Sequence, residues 1–118
     1  PWVARGLAIA GANLLAVGSN ESWFGRTAAL EQHLAFCVLR AIETRRWVAR
    51  CAPEGITAFV APTGAIRARA PAFTEAVLDA PVHPHTVQTP YVRWGDWAVG
   101  VGVALSALAI ASHRRRPP

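Results

Sequence analysis

Residues 12–26 read ANLLAVGSNESWFGR. The first part, residues 12–18, is a short unbroken apolar run, the pattern of a strand covered on both faces of its sheet. It stops at Ser19-Asn20-Glu21-Ser22, and a Trp23-Phe24 pair closed by Gly25 follows. Three readings of this second part compete. Asn20-Glu21-Ser22 has the form of an N-glycosylation acceptor. Trp23 and Phe24 could instead be a hydrophobic staple entering a helix, or an apolar wall of a substrate pocket. A strand end that runs into an aromatic pair is a poor acceptor loop, so the staple and the wall remain. Asn20 suits backbone hydrogen bonding at the strand end.

Working outward, Gly25 permits a turn before a helical pattern from Thr27 to Arg45. Leu30, Leu34, Cys37, Val38, Ala41 and Ile42 fall on one stripe, with Glu31, Arg40, Glu43 and Arg45-Arg46 mostly off it. Thr27 has the chemistry of an N-cap. Glu43 reads as an ion-pair partner of a nearby arginine, and His33 as a solvated surface residue. WVARCA (47–52) predicts a strand, and Pro53-Glu54-Gly55 breaks it. ITAFVA (56–61) and AIRARA (65–70) predict a hairpin turning at Pro-Thr-Gly (62–64). Arg67 and Arg69, two apart, are expected on one water-facing side. EAVLDAPV (75–82) is a further strand candidate. Strand, helix, strand and hairpin in that order predict a layered α/β unit.

PVHPHTVQTP (81–90) then reads as an extended linker, and YVRWGDW (91–97) as an aromatic cluster. AVGVGVALSALAIAS (98–112) carries no charge, and His113 and Arg114–Arg116 follow. The 16 uncharged residues from Trp97 onward fall a little short of the ~20 that span a bilayer upright. Tyr91, Trp94 and Trp97 at one end and arginines at the other are the flanks of a membrane helix, and the many small residues suit packing in lipid. A transmembrane helix is therefore expected over residues 97–113. The positive-inside rule then puts the tail at 114–118 in the cytoplasm and the earlier residues on the outer side. Arg93 and Asp96 are expected to anchor it, paired with each other or with headgroups.

The 118 residues are 53% hydrophobic and only 16% charged, against about 25% charged in ordinary soluble domains, which again favours a membrane-associated chain. The chain contains no Met and opens PWVARG, so it is expected to be an internal-to-C-terminal piece of something longer. Net charge is +5, but the basic surplus gathers at Arg114–Arg116, and no basic face interleaved with aromatics exists to hold nucleic acid. Cys37 and Cys51 stand in no Cys-x-x-Cys pair and have no histidine at zinc spacing, so both read as small buried hydrophobes. His83-x-His85 lacks a third ligand, so no metal is expected. No cofactor motif is present.

GANLLAVGSNESWFGR, QHLAFCVLRAIETRRWVAR, GITAFVAPTGAIRARAPAF and TPYVRWGDW followed by a terminal helix together resemble the apolipoprotein N-acyltransferases, in order and over essentially the whole chain. The resemblance implies the C-terminal part of a nitrilase-like αββα sandwich followed by one transmembrane helix. It implies a hydrolase-like portion at 1–82, a linker and interfacial aromatic segment at 83–96, the membrane helix at 97–113 and a basic cytoplasmic tail at 114–118. It also implies a Glu-Lys-Cys triad, whose thiolate takes an acyl group from a phospholipid donor as a thioester and passes it to the N-terminal diacylglyceryl-cysteine of an apolipoprotein acceptor. The family's nucleophile belongs to a Cys-Tyr-Glu stretch upstream of residue 1, with the Glu and Lys further upstream. No catalytic residue is therefore expected here, and the chain's partner is the upstream part of its own protein. Asn20, Trp23, Phe24 and Gly25 are the expected substrate-side residues. The implied location is the bacterial inner membrane, with the hydrolase-like portion periplasmic. Pro53-Glu54 departs from the family's pattern before the Gly of GIT, at the expected rim of the pocket. The rival readings are a membrane-anchored carbon–nitrogen hydrolase of amidase or nitrilase type, and a non-catalytic membrane-anchored binding module.

Overall fold

The apolar run is a strand, β1 (Leu14–Gly18), in a computed structural model that describes residues 2–114. Arg115, Arg116 and the rest of the expected basic tail lie outside the described residues, as does the Arg114 side chain. β1 pairs in parallel with β2 (Trp47–Cys51). β2 continues antiparallel into β3 (Thr57–Val60), and β3 into β4 (Ile66–Ala70), giving one sheet in the order β1-β2-β3-β4. A parallel pair needs a long crossover, and α2 (Ala29–Thr44) supplies it. The helix lays its stripe, Leu30, Leu34, Cys37 and Ala41, on Leu15, Val48, Ala58 and Val60 of the sheet. Each large aliphatic side chain buried there contributes about 1.5–3 kcal/mol. Because strand side chains alternate, Ala16, Ala49, Cys51 and Phe59 face away from α2.

Several expectations are corrected. Helix α2 starts at Ala29, and Thr27 does not cap it: the cap position is Ala28, and the Thr27 hydroxyl donates instead to Phe24 O at 2.9 Å. That hydroxyl is already committed to the 3₁₀ turn at Ser22–Phe24. α2 ends on Arg45, a non-glycine residue in the left-handed region at φ 52°. Residues 2–9 form a helix, α1 (Trp2–Ile9), which the sequence did not announce, because its apolar residues lie all around it and only Ala8 is buried. Residues 75–82 form no strand. With Glu75, Asp79 and Pro81 ill suited to a ladder, the segment crosses the far face instead, where Ala76, Val77 and Leu78 border a hollow of about 450 Å³ with Ala16, Thr57 and Phe59. Arg67 and Arg69 do not act together. The pairing jumps from Phe59↔Ala68 to Val60↔Ile66, which leaves Arg67 as the extra residue of a bulge. Arg69 pairs with Glu31 of α2, while Arg67 borders a hollow beside Trp47.

The linker also holds structure: Thr89 caps a short helix, α3 (Pro90–Trp94), accepting from Val92 N at 3.1 Å. No ion pair joins Arg93 to Asp96 among the described residues. The final helix, α4 (Trp97–Arg114), has 18 residues, a length of about 27 Å at 1.5 Å per residue, against roughly 30 Å of bilayer hydrocarbon. Glycine, alanine and serine dilute its hydropathy, and it ends in His113 and Arg114. Among the described residues no helix is long and apolar enough to cross a membrane, so the expected span at 97–113 is not supported.

Candidate functional site

Arg50 organises the loop that follows β1. It alternates with Val48 on the α2-facing side of β2, so its guanidinium enters the core and is only 4% exposed. A buried charge must be met by a partner, and Glu21, fully buried at the end of β1, meets it as a direct ion pair. The other donors of Arg50 are also used: Nε donates to Ile56 O at 3.0 Å, and Nη1 to Cys37 Sγ at 3.3 Å. Glu21 Oε1 further accepts from Ser19 Oγ at 3.3 Å and lies 2.9 Å from His33 Nδ1. Burial pushes the Glu21 carboxyl up, but Arg50 and His33 outweigh it and hold the group below its ordinary value. Burial likewise opposes the charge on Arg50, and its bonds to Glu21 and Cys37 more than restore it. A carboxylate with one oxygen so engaged and no exposure is an anchor for a loop rather than a general base.

Glu21 thereby fixes the turn that carries the expected substrate-side residues. Asn20 Oδ1 accepts from Ser22 N at 3.2 Å and Ser22 Oγ at 2.8 Å, an Asx-type closure. Gly25 ends the turn at φ 55°, a left-handed conformation that glycine adopts without strain. Between them the aromatic pair divides. Phe24 turns inward, edge-on to His33 at 4.7 Å between ring centres and packed against the core, whereas Trp23 is 71% exposed. The staple therefore describes Phe24 alone. His33 is a ligand of Glu21 and a bearing for Phe24, more than a solvated surface residue. Glu43 is the expected ion-pair partner, bound to Arg40 at 2.9 Å.

Cys37 is buried on the stripe beside Arg50, but Cys51 is exposed at the end of β2, on the face away from α2. It is thus no buried hydrophobe. Among the described residues no three of His, Cys, Asp and Glu are placed to hold a metal ion. Glu54, in the divergent Pro53-Glu54 pair, takes a left-handed φ of 60°, and Gly55 N closes the turn on Ala52 O at 2.9 Å. A side chain at Gly55 would meet the Glu21 carboxylate and come within 2.9 Å of Ala52 Cβ. Gly55→Ala is accordingly expected to lower stability by about 1–3 kcal/mol, read as an earlier denaturant midpoint in the protein that carries this chain.

Glu21 and Arg50 had escaped the sequence reading. A usable signal existed: a lone arginine in phase with core-facing Val48 demands a buried acid, and Glu21 stands directly after the neighbouring strand.

The comparisons agree with this geometry. The carbon-nitrogen hydrolase family profile matches residues 1–90. The chain is 42% identical to an apolipoprotein N-acyltransferase of Azotobacter vinelandii over 116 residues, covering 98% of this chain and 22% of the relative. It is 39% identical to that of Geobacter metallireducens over 118 residues, again 98% and 22%, and 43% identical to that of Ralstonia nicotianae over 105 residues, 88% and 20%. The chain thus spans about a fifth of the length of the curated relatives it matches. A parallel strand pair bridged by a helix, an antiparallel extension and a profile match across all of it place the chain in the carbon-nitrogen hydrolase family.

Proposed function

We propose that the chain is part of an apolipoprotein N-acyltransferase, which moves a fatty acyl group from phospholipid to the N-terminal diacylglyceryl-cysteine of apolipoproteins through a thioester. One observation carries the reading. The hydrolase profile ends at residue 90, whereas the Azotobacter vinelandii relative aligns over 98% of the chain. Most of α3 and α4 therefore belong to what is shared with proteins named for acyl transfer. On this reading the Glu-Lys-Cys triad sits in the preceding part of the same protein, and residues 20–25 form one apolar wall beside it. Phe24 anchors the wall, Asn20 and Gly25 shape it, and exposed Trp23 lies against the acyl chain. The exposed, uncharged residues of α4 are the lipid-contacting element, with the hydrolase-like portion on the periplasmic side of the bacterial inner membrane.

The test uses the full-length protein, expressed in cells depleted of their own acyltransferase. Mass spectrometry is expected to find the N-acyl increment on their lipoproteins. Its absence, with the protein present in the membrane, overturns the proposal, and hydrolysis of simple amides by the same protein would favour the amidase reading. Trp23→Ala should lower kcat/KM roughly tenfold, an aromatic face against an acyl chain being worth about 1.5 kcal/mol, with the unfolding midpoint unchanged. An unchanged rate would remove Trp23 from the acyl site.

A further inference from the structure

At the end of the sheet opposite Glu21, a second group of polar residues is left unused by this reading. β1 and β2 run in parallel, so Trp47 and Leu14 mark one end of the pair, and Cys51 and Gly18, beside the Glu21 loop, the other. Around Trp47 lie two hollows of about 360 and 380 Å³ that share Trp47, Arg67 and His83 as walls. Arg45, Thr63 and His85 complete the larger one, and Asp79 is the one acid bordering either. The walls therefore present mostly hydrogen-bond donors.

Three details describe the donors gathered there. Trp47 is 6% exposed, yet its indole Nε1–H is buried with no hydrogen-bond partner among the described residues, a state that costs about 1–3 kcal/mol unless something accepts from it. Arg67 is the bulge residue, displaced from the ladder into this cleft. Arg45 is held at the left-handed end of α2, with Nη1 donating to Pro62 O at 3.4 Å. Neither guanidinium takes part in an ion pair among the described residues. Two planar guanidiniums, an indole N–H and two imidazoles around one cleft are the donor set that phosphate oxygens satisfy.

The position of the cleft narrows the ligand further. His83, His85 and Val87 on its wall belong to the strand of chain that leads into α3 and the exposed apolar α4. That segment is tied down beside the cleft by Arg46 Nη1 donating to Val87 O at 2.7 Å and Thr89 Oγ1 donating to Glu43 O at 2.5 Å. Basic side chains in a segment that leads into an apolar helix are suited to the phosphates of a lipid surface.

We propose that Arg45, Arg67 and Trp47, with His83 and His85, form a binding site for a phosphate group, at the opposite end of the sheet from the Trp23 wall and supplied by a phospholipid headgroup or by free phosphate. The site stands on the cleft alone and does not depend on the acyl-transfer reading. Short-chain dihexanoyl phosphatidylglycerol and inorganic phosphate are titrated separately into the full-length protein in non-ionic detergent, with affinity read by calorimetry. Wild type is expected to bind at least the lipid probe, and R45Q/R67Q to bind it roughly tenfold or more weakly. R69Q, which removes an exposed arginine already paired with Glu31, should bind as wild type. W47F keeps an aromatic ring but removes the indole N–H donor, and should weaken binding several-fold. A loss in R45Q/R67Q that is equal for both probes assigns the site to the phosphate alone, and a loss confined to the lipid assigns it to the headgroup. Equal affinity of wild type and R45Q/R67Q, or no binding of either probe, overturns the proposal.

Discussion

Replacing Glu21 with alanine is expected to destabilise the folded chain by about 3–5 kcal/mol, the usual effect of leaving one member of a buried ion pair without its partner. Glu21 is fully buried and Arg50 is 4% exposed, so water cannot take the place of the lost carboxylate. The arginine would keep its bonds to Ile56 O and Cys37 Sγ but hold an uncompensated charge in the core. Urea unfolding of the full-length protein should show the loss as an earlier midpoint. E21L/R50L should recover much of it, since removing both charges removes the desolvation problem with them. A single variant as stable as wild type would show that the pair does not hold the loop. The acid limb supplies an independent readout. Arg50 and His33 keep the Glu21 carboxyl below its ordinary value against the opposing pull of burial. Its contribution is therefore complete above the unfolded carboxylate range, near about pH 4.3. It is lost as pH falls through the lower folded value. E21Q should flatten that part of the stability–pH curve, and an unchanged acid slope would place the dependence elsewhere.

Arg46→Met is the second large effect. Arg46 is 1% exposed and forms no ion pair among the described residues; the hydrogen bonds of its Nε and Nη1 all go to backbone carbonyls. Nε donates to Ala12 O at 2.6 Å, and Nη1 reaches Thr44 O at 3.1 Å and Val87 O at 2.7 Å. Three segments of chain thus meet at one side chain: the approach to β1, the end of α2 and the segment before α3. Burial lowers the affinity of this group for its proton, yet an arginine stays charged throughout the working range. Methionine would fill the volume and leave the carbonyls bare, a loss of about 3–5 kcal/mol. The local consequence is more diagnostic than the global one. Residues 82–88 have no secondary structure of their own, so without Arg46 they should become a site of rapid limited proteolysis. R46K keeps the charge but not the planar fork and should protect only partly. Proteolysis at the wild-type rate in R46M would mean that Thr89 and its bond to Glu43 O hold the segment unaided.

Much of the architecture could be read from residue order. The unbroken run at 12–18, the 3.6-residue stripe from Leu30 to Ala41 and the Pro-Thr-Gly turn each carry a local periodicity, and β1, α2 and the β3–β4 hairpin formed where those periodicities lie. The failures also have a common cause. Residues 75–82 carry strand-like composition, but a strand needs a free ladder and a register, and that depends on an edge elsewhere in the chain. A bulge moved Arg67 out of phase with Arg69, and i, i+2 spacing cannot foresee an extra residue. Thr27 had the right chemistry for a cap, yet a nearer carbonyl at Phe24 claimed its hydroxyl. At the far end, composition without charge suggested a crossing, while among the described residues no helix is long and apolar enough for one.

The stretch SNESWFGR shows where the division falls. By itself the sequence determined that a strand ends there, that a turn closed by glycine follows, and that an aromatic pair sits in that turn, because these depend on neighbours along the chain. The strand expected to be covered on both faces lies at the sheet edge with only Leu15 buried. Only the tertiary structure decided that Phe24 packs inward on His33 while Trp23 stays in the open. It alone revealed that the inconspicuous Glu21 carries the loop through Arg50, a residue 29 positions away. Periodicity reports which face of an element is apolar. Which charge meets which across two strands and a helix is settled by packing, since a buried ion is tolerated only where the fold delivers its partner.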